Sequence, residues 1–465
     1  MSTSPADLVD MAIKLAPRTC AFIAIAEVEQ RANLRWAQNS LTTNGLTTSL
    51  TLTLIAVVDD PAGRRTATQT LTNVEPELLP HWVATLCEQA AGSEISAMDG
   101  FEDLVDAGIS PEFLDLPQTM TPEVFSPIID PLARGLTAAH DAGLTWSGYA
   151  QATLDSTWLA TSAGTRRVHH QPAASIEITQ RQTRADGVIN SSWAARSADY
   201  FDLINVDELS HQLQQSQPWG QIDVVVEPGR HTVILTAEAV ADLAIPVLWE
   251  ASAREALEGS SVFSSADGGT KIASRVMGNG ISISSDPHHE LVATAPFVVE
   301  HSSGPSSSVL DNGVALEKTN WIDDGVLEHL MGPRSLSGRL EQTRPHVDNV
   351  VIQAQGSGSL ADLIARTDDG ILITCLWYIR DVDRQTLLLT GLTRDGVYVI
   401  KNGQIVGAAS NFRFNVSPLD VLSNVIDSSS STRIHPREWG EYVQRVVAPA
   451  ITTTGFNLST VSDAR

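Results

Sequence analysis

The chain has 465 residues, and its 55 acidic against 30 basic side chains give a formal charge of −25. That balance repels polyanions and argues against nucleic acid as a ligand. Apolar residues make up 42% and charged ones 18%, enough to bury cores in at least two domains, with no tract biased toward disorder.

Nothing in the sequence approaches a membrane span, which needs about 18 uninterrupted apolar residues. The longest run, Ile371 to Ile379, contains Thr374 and meets Arg380 and Asp381, so it reads as a buried strand. The opening MSTSPADLVDMAIKLAP carries Asp7 and Asp10 where an export signal is neutral or basic, and a cytoplasmic chain is expected. Cys20, Cys87 and Cys375 are odd in number and form no CxxC pair, as expected of reduced core thiols.

The pattern predicts a short helix over 6–15, then strands in CAFIAIAEVEQ, LRWAQNSL and SLTLTLIAVV, with Asn44-Gly45 as a turn. Helical periodicity over 76–91 is followed by an acidic loop, 99–106, and a second helical stretch, 122–142, which Pro127 and Pro131 should kink or break. Strands resume from Trp146 to Ser197, and Asn205 can cap a helix over 206–214. In SQPWGQ, Pro218 and Gly220 interrupt both periodicities, which places the main boundary there.

Two units follow. Residues 1–217 form an α+β region, with a first module of about 18–92 and a middle module of about 120–215. Residues 218–465 form a β-rich domain. That domain should open with a strand in VVVEPGRHTVILT, a helix over 237–258 and a long, mobile Gly/Ser-rich loop over 259–280 that could gate access. Turns are expected at Asp324-Gly325, Asp369-Gly370, Asp395-Gly396 and Asn402-Gly403, the last joining VYVI and QIVG as a hairpin.

Most candidate motifs have a plain structural explanation. Gln355 to Ser359 lacks the third glycine and the lysine of a phosphate loop, and reads as a helix cap. His169-His170 and His288-His289 are adjacent pairs that point to opposite faces if extended, and His301 and His435 lie far off in sequence. No GxSxG elbow occurs among the serine-rich stretches.

The informative stretch is 245–259, IPVLWEASAREALEG. It resembles the helix that carries HExxxH in the TldD/TldE (PmbA) peptidase family. There, two histidines hold the metal and the glutamate between them is the general base; the matching residues here are Trp249, Glu250 and Arg254. The family's third ligand is a cysteine downstream of the segment matched by Asn402-Gly403, and no cysteine follows Cys375. An indole offers no free lone pair and a guanidinium stays charged, so neither replaces a neutral imidazole. Glu250 then reads as an ordinary helix residue, paired with Arg254 one turn on, and the apolar ring of Trp249 is expected to fill the vacated metal pocket.

Further matches run in family order: LRWAQNSLTTNGLTTS, SGYAQATLDSTWLATSAGTRRVHHQPAASIEI, VEPGRHTVILTAEAVADL, KTNWIDDGVLEHLM and TRDGVYVIKNGQIVGAASNFRFNVSPLDVL. The resemblance implies a TldE-like subunit with no catalytic residue, cofactor or metal of its own. It would assemble with a TldD-like catalytic subunit, which holds a zinc-type metal, in a cytosolic hetero-oligomer that proteolyses unfolded or peptide substrates. Two other readings remain open: an autonomous peptidase with non-standard ligands, and a free-standing peptide-binding scaffold.

Overall fold

In the computed structural model, which describes residues 3–72, 74–116 and 119–462, the first half is organised by one antiparallel sheet. Helix α1 (Pro5–Leu15) leads into β1 (Ala21–Ala37), β2 (Ser40–Asp60) and β3 (Gly63–Thr72), then α2 (Leu79–Gly92), a long loop, and α3 (Ser126–Asp141). Strands β4 (Leu144–Thr161), β5 (Arg166–Thr183) and β6 (Ile189–Ala198) complete six strands in the order β3-β2-β1-β4-β5-β6, and α4 (Val206–Ser216) follows.

Strand alternation divides the sheet into two chemically different faces. Even-numbered residues of β1, including Phe22, Ala24, Ala32, Leu34 and Trp36, pack beneath the helices, with α1 and α2 at one end and α3 and α4 at the other. On the other face, Ile23 and Ile25 cluster with Phe297, Val309 and Leu310 of the second half. Glu27, Glu29 and Arg31 continue that face, with Asp155 of β4 directly across from Glu29.

Two expectations for this half need correction. CAFIAIAEVEQ and LRWA form one strand, and the turn lies at Gln38-Asn39, both with positive φ (52° and 62°). Asn39 fixes it by donating to the Leu144 carbonyl at 2.8 Å and accepting from the Trp146 N–H at 2.6 Å, while Asn44-Gly45 stays inside β2, paired with Leu34 and Asn33. Helix α3 runs unbroken. Pro127 lies in its first turn, where no N–H is needed, and burial of Ile128, Leu132 and Ala139 offsets the one bond lost at Pro131. The segment Gln217–Gln221 is a packed 3-10 turn, with Trp219 edge-on to Tyr398 at 5.1 Å.

The second half opens with β7 (Gly229–Leu235), then α5 (Ala237–Trp249) and α6 (Ala253–Glu258). Its principal sheet closes on itself. β7 pairs with Asp369–Asp383 on one side and Ile451–Ser462 on the other, and the ring continues through Asn411–Val416 and Leu388–Lys401 back to Asp369–Asp383. Helix α5 lies against this ring and against a second, six-stranded sheet, and its core is continuous with both.

Positive φ at Asp324, Gly325, Asn402 and Gly403 marks two of the expected turns. Asp369-Gly370 instead begins a strand, paired with Lys401-Ile400. Asp395-Gly396 is a bulge within a strand, its two carbonyls accepting from the Thr374 hydroxyl at 3.1 and 3.0 Å. The 259–280 loop is irregular but tethered: Phe263 is fully buried, and Val262 and Met277 join the same core. All three cysteines are buried and free. Among the described residues, no helix is long and apolar enough to cross a membrane.

Candidate functional site

Helix α5 is buried along nearly its whole length, and one of its core positions is an acid. Asp242 accepts the backbone N–H groups of Arg437 at 3.2 Å and Glu438 at 3.0 Å, and the Trp439 indole donates to the Asp242 carbonyl at 2.8 Å. Burial pushes this carboxyl well above its usual range, and the two N–H donors pull against that. The helix therefore pins residues 437–439 from below. Glu438 passes the constraint on by accepting the N–H groups of Tyr378 and Ile379, both at 3.0 Å, where Tyr378 is held at φ 52°.

The motif positions lie where α5 ends. Trp249 is its last residue, Glu250 its C-cap, and Ser252 caps α6 by accepting the Glu255 N–H at 3.4 Å. The break is fixed by the Ser261 hydroxyl donating to the Glu250 carbonyl at 2.6 Å and by the Met331 N–H donating to the Ala251 carbonyl at 2.7 Å. The expected single helix over 237–258 is thus two helices, which removes the i,i+4 geometry on which a Glu250–Arg254 pair depends.

Glu250 instead receives the Arg384 guanidinium at 2.8 Å, and Arg384 also reaches Glu255 at 3.2 Å. Burial raises the Glu250 carboxyl, with Arg384 lowering it in opposition. Arg254 points elsewhere and donates to the Met98 carbonyl at 3.5 Å, just before the acidic loop of the first half. Trp249 is 46% exposed, so it does not fill a closed pocket. Its ring meets Trp439 in a T-shaped contact with centroids 4.7 Å apart and planes at 72°. Trp439 lies in the stretch after residue 403, where the resemblance places the third ligand. Tyr378 and Tyr442 are exposed beside this segment, their backbone N–H groups donating to the Glu438 carboxylate and the Trp439 carbonyl.

These residues do not fit a divalent cation. They offer two carboxylates, Glu250 and Glu255, both already paired with Arg384, a guanidinium, and indoles without a lone pair to give. Among the described residues, no group of three or more His, Cys, Asp or Glu side chains is placed to hold a metal. The other histidines are apart. His301 pairs with Glu27 at 3.0 Å, His169 and His170 turn to Gln171 and Ser156 on opposite faces of β5, and the His288 backbone closes a turn on Asp286. Ser359 forms a capping box with Asp362, as its sequence predicts.

Sequence reasoning missed Asp242, Arg384, Glu438 and Trp439. Asp242 carried a signal, being the one acid in the otherwise apolar stretch from Val240 to Leu248. Arg384, in a polar turn far along the chain, carried none.

The two halves meet through a second built contact. The Arg437 guanidinium lies 4.0 Å from the centroid of Trp377 and 5.1 Å from that of Trp193, and it pairs with Glu177 of β5 at 2.8 Å.

An antiparallel sheet with helices on one face, joined to a closed β-rich unit whose buried helix ends at Trp249 and Glu250, is the architecture of a metallopeptidase family. The family described as the PmbA/TldA metallopeptidase C-terminal domain matches residues 228–460, half of the chain. The chain belongs to the TldD/TldE (PmbA) family. Its fold is similar to that of TldE from Thermococcus kodakarensis, with a TM-score of 0.78 at 15% identity, covering 97% of this chain and 99% of that one. It is also similar to a protein described as a candidate modulator of DNA gyrase from Thermotoga maritima, at TM-score 0.71 and 15% identity over 97% and 98% of the two chains. A protein from Bacteroides thetaiotaomicron with the same description gives TM-score 0.71 and 13% identity over 98% and 97%. No curated protein matches the chain.

Proposed function

We propose that this chain is the metal-free, TldE-like subunit of a cytosolic TldD/TldE-type metallopeptidase, dividing near residue 217 into its two units and acting beside a TldD-like catalytic partner on unfolded or peptide substrates. The observation that carries this reading is the commitment of Glu250. A general base in this family must face a metal-bound water, and here the carboxylate is buried, ion-paired to Arg384 and flanked by an indole. The resemblance to TldE along nearly the whole chain supports the same reading. A partner of similar shape would close a chamber around the catalytic metal, and this subunit would supply walls and peptide-binding surface.

The test is elemental analysis and hydrolysis of an unfolded peptide, for the purified chain alone and mixed with a TldD-like subunit. Cleavage only in the mixture, with metal confined to the partner, is expected. Stoichiometric metal and chelator-sensitive cleavage by this chain alone would overturn the proposal.

A further inference from the structure

Cys20 is the last residue before β1, and Cys87 lies on α2, among the residues that pack onto the sheet beneath it. Both belong to one core cluster, Cys20 being 4% and Cys87 9% exposed. Their thiols meet there. The Cys20 S–H donates to the Cys87 sulfur, and the Val57 N–H donates to the Cys20 sulfur. The Ala21 carbonyl, the other acceptor open to the Cys20 proton, is 3.7 Å away. Two cysteines far apart in sequence are thus side by side, and a movement of roughly 2 Å separates this contact from an S–S bond.

The contact is unequal. Burial raises both thiols, while the hydrogen bond between them raises Cys20 and lowers Cys87. A sulfur that accepts a hydrogen bond is favoured as a thiolate, and one that donates keeps its proton. Cys87 is therefore the first of the two to become nucleophilic, and it is also the less covered. Cys375 sits apart in the second half, fully buried, with its thiol donating to the Arg394 carbonyl at 2.9 Å.

We propose that Cys20 and Cys87 are a dithiol that exchanges with small, neutral disulfides, Cys87 entering and Cys20 resolving, to form a reversible bond that staples α2 to the start of β1. The Cys87 thiolate attacks one sulfur of the reagent and displaces the other as a thiolate, which takes up the proton that Cys87 released. Cys20 then gives up its proton, attacks the Cys87 sulfur of the mixed disulfide and expels the second half of the reagent. The pair loses two electrons and two protons, and the reagent leaves as two thiols. A neutral reagent suits a chain of net charge −25, which repels anionic ones. The bond closes a ring that holds β1, β2 and β3, and it fixes the helix shortly before Met98, where Arg254 reaches across from the second half. The inference does not rest on the peptidase reading.

Incubating the folded, full chain with bis(2-hydroxyethyl) disulfide between about pH 7 and 9 tests it. Alkylation after denaturation should count one free thiol in place of three, and peptide mapping should find Cys20 linked to Cys87 with Cys375 still reduced. The rate should rise about tenfold per pH unit, as the thiolate fraction does. The oxidised chain should melt a few degrees above the reduced one, and a reducing thiol should reverse both changes. C20A, without the resolving thiol, should stop with half of the reagent on Cys87, whereas C87A should keep both of its thiols. Circular dichroism checks that both variants fold, and the parent's peptide map decides the link without them. Three thiols retained, consumption of Cys375, a mixed disulfide that persists in the parent, or an adduct on Cys20 in C87A would each overturn the proposal.

Discussion

Arg384 donates to Glu250 at 2.8 Å from a strand turn more than a hundred residues further along the chain, closing the end of α5 with an ion pair. Glu250 is only 5% exposed, so the pair has an unequal character. The carboxylate depends on the guanidinium, whose own side chain is half in water.

R384A should therefore cost about 1–3 kcal/mol, less than a fully buried pair because Arg384 is partly solvated. Adding E250Q should recover part of the loss by removing the stranded charge. Denaturant unfolding of the wild type, both single variants and the double variant gives the coupling directly; additive losses would show that the pair contributes nothing as a pair.

At Asp242, alanine removes the acceptor for two backbone N–H groups and should cost about 2–4 kcal/mol. D242N should cost less, because an amide oxygen can still accept. The structural readout is local: once residues 437–439 are released, Trp439 loses its place against Trp249, and D242A should shift tryptophan emission to the red.

Glu300 gives a pH prediction. Burial pushes its carboxyl from 4.5 to about 7, with His301 and Ser307 lowering it in opposition. A carboxyl raised on folding binds its proton more tightly in the folded state, so its contribution is complete below pH 4.5 and is lost as pH rises through about 7. E300Q should melt about 1–3 °C above the wild type near pH 8. That gain should vanish toward acid pH. Melting curves across this range check it, and a constant difference would exclude titration of Glu300 as the cause.

R437K keeps the charge but loses the planar face lying between Trp377 and Trp193. A cost of about 1–2 kcal/mol is expected. Since Trp193 and Glu177 belong to the first half, calorimetry should show the variant unfolding over a broader transition than the wild type.

Local chemistry made much of the fold legible. The strands from Trp146 to Ser197, the Asn205 cap and the Asn402-Gly403 hairpin follow from alternation, a polar cap and positive φ. The errors came where distant residues decide between local options. Asn39 and Asn44-Gly45 both suit a turn, and the choice was made by the Leu144 and Trp146 backbone groups that bind Asn39. Pro131 reads as a breaker until the apolar face of α3 is seen to be buried.

At the site, the absence of imidazole at the two positions that the resemblance sets against histidines could be read directly from Trp249 and Arg254. The fate of Glu250 could not, because both the helix break that separates it from Arg254 and the arrival of Arg384 depend on contacts with Met331 and Ser261 and on a distant turn.

The closed ring of the second half also bears on how the protein is made. Its strand Ile451–Ser462 is inserted between β7 and Asn411–Val416, with Leu458 opposite Gly229. While the ribosome is still translating this half, β7 has one of its two flanking strands missing, and the apolar groups Val233, Leu235 and Phe414 wait without their full surroundings. The nascent polypeptide must therefore be protected from self-association until that late strand emerges. Premature termination just upstream of Ile451 should send this protein to chaperones and proteases rather than leave a shortened, soluble form.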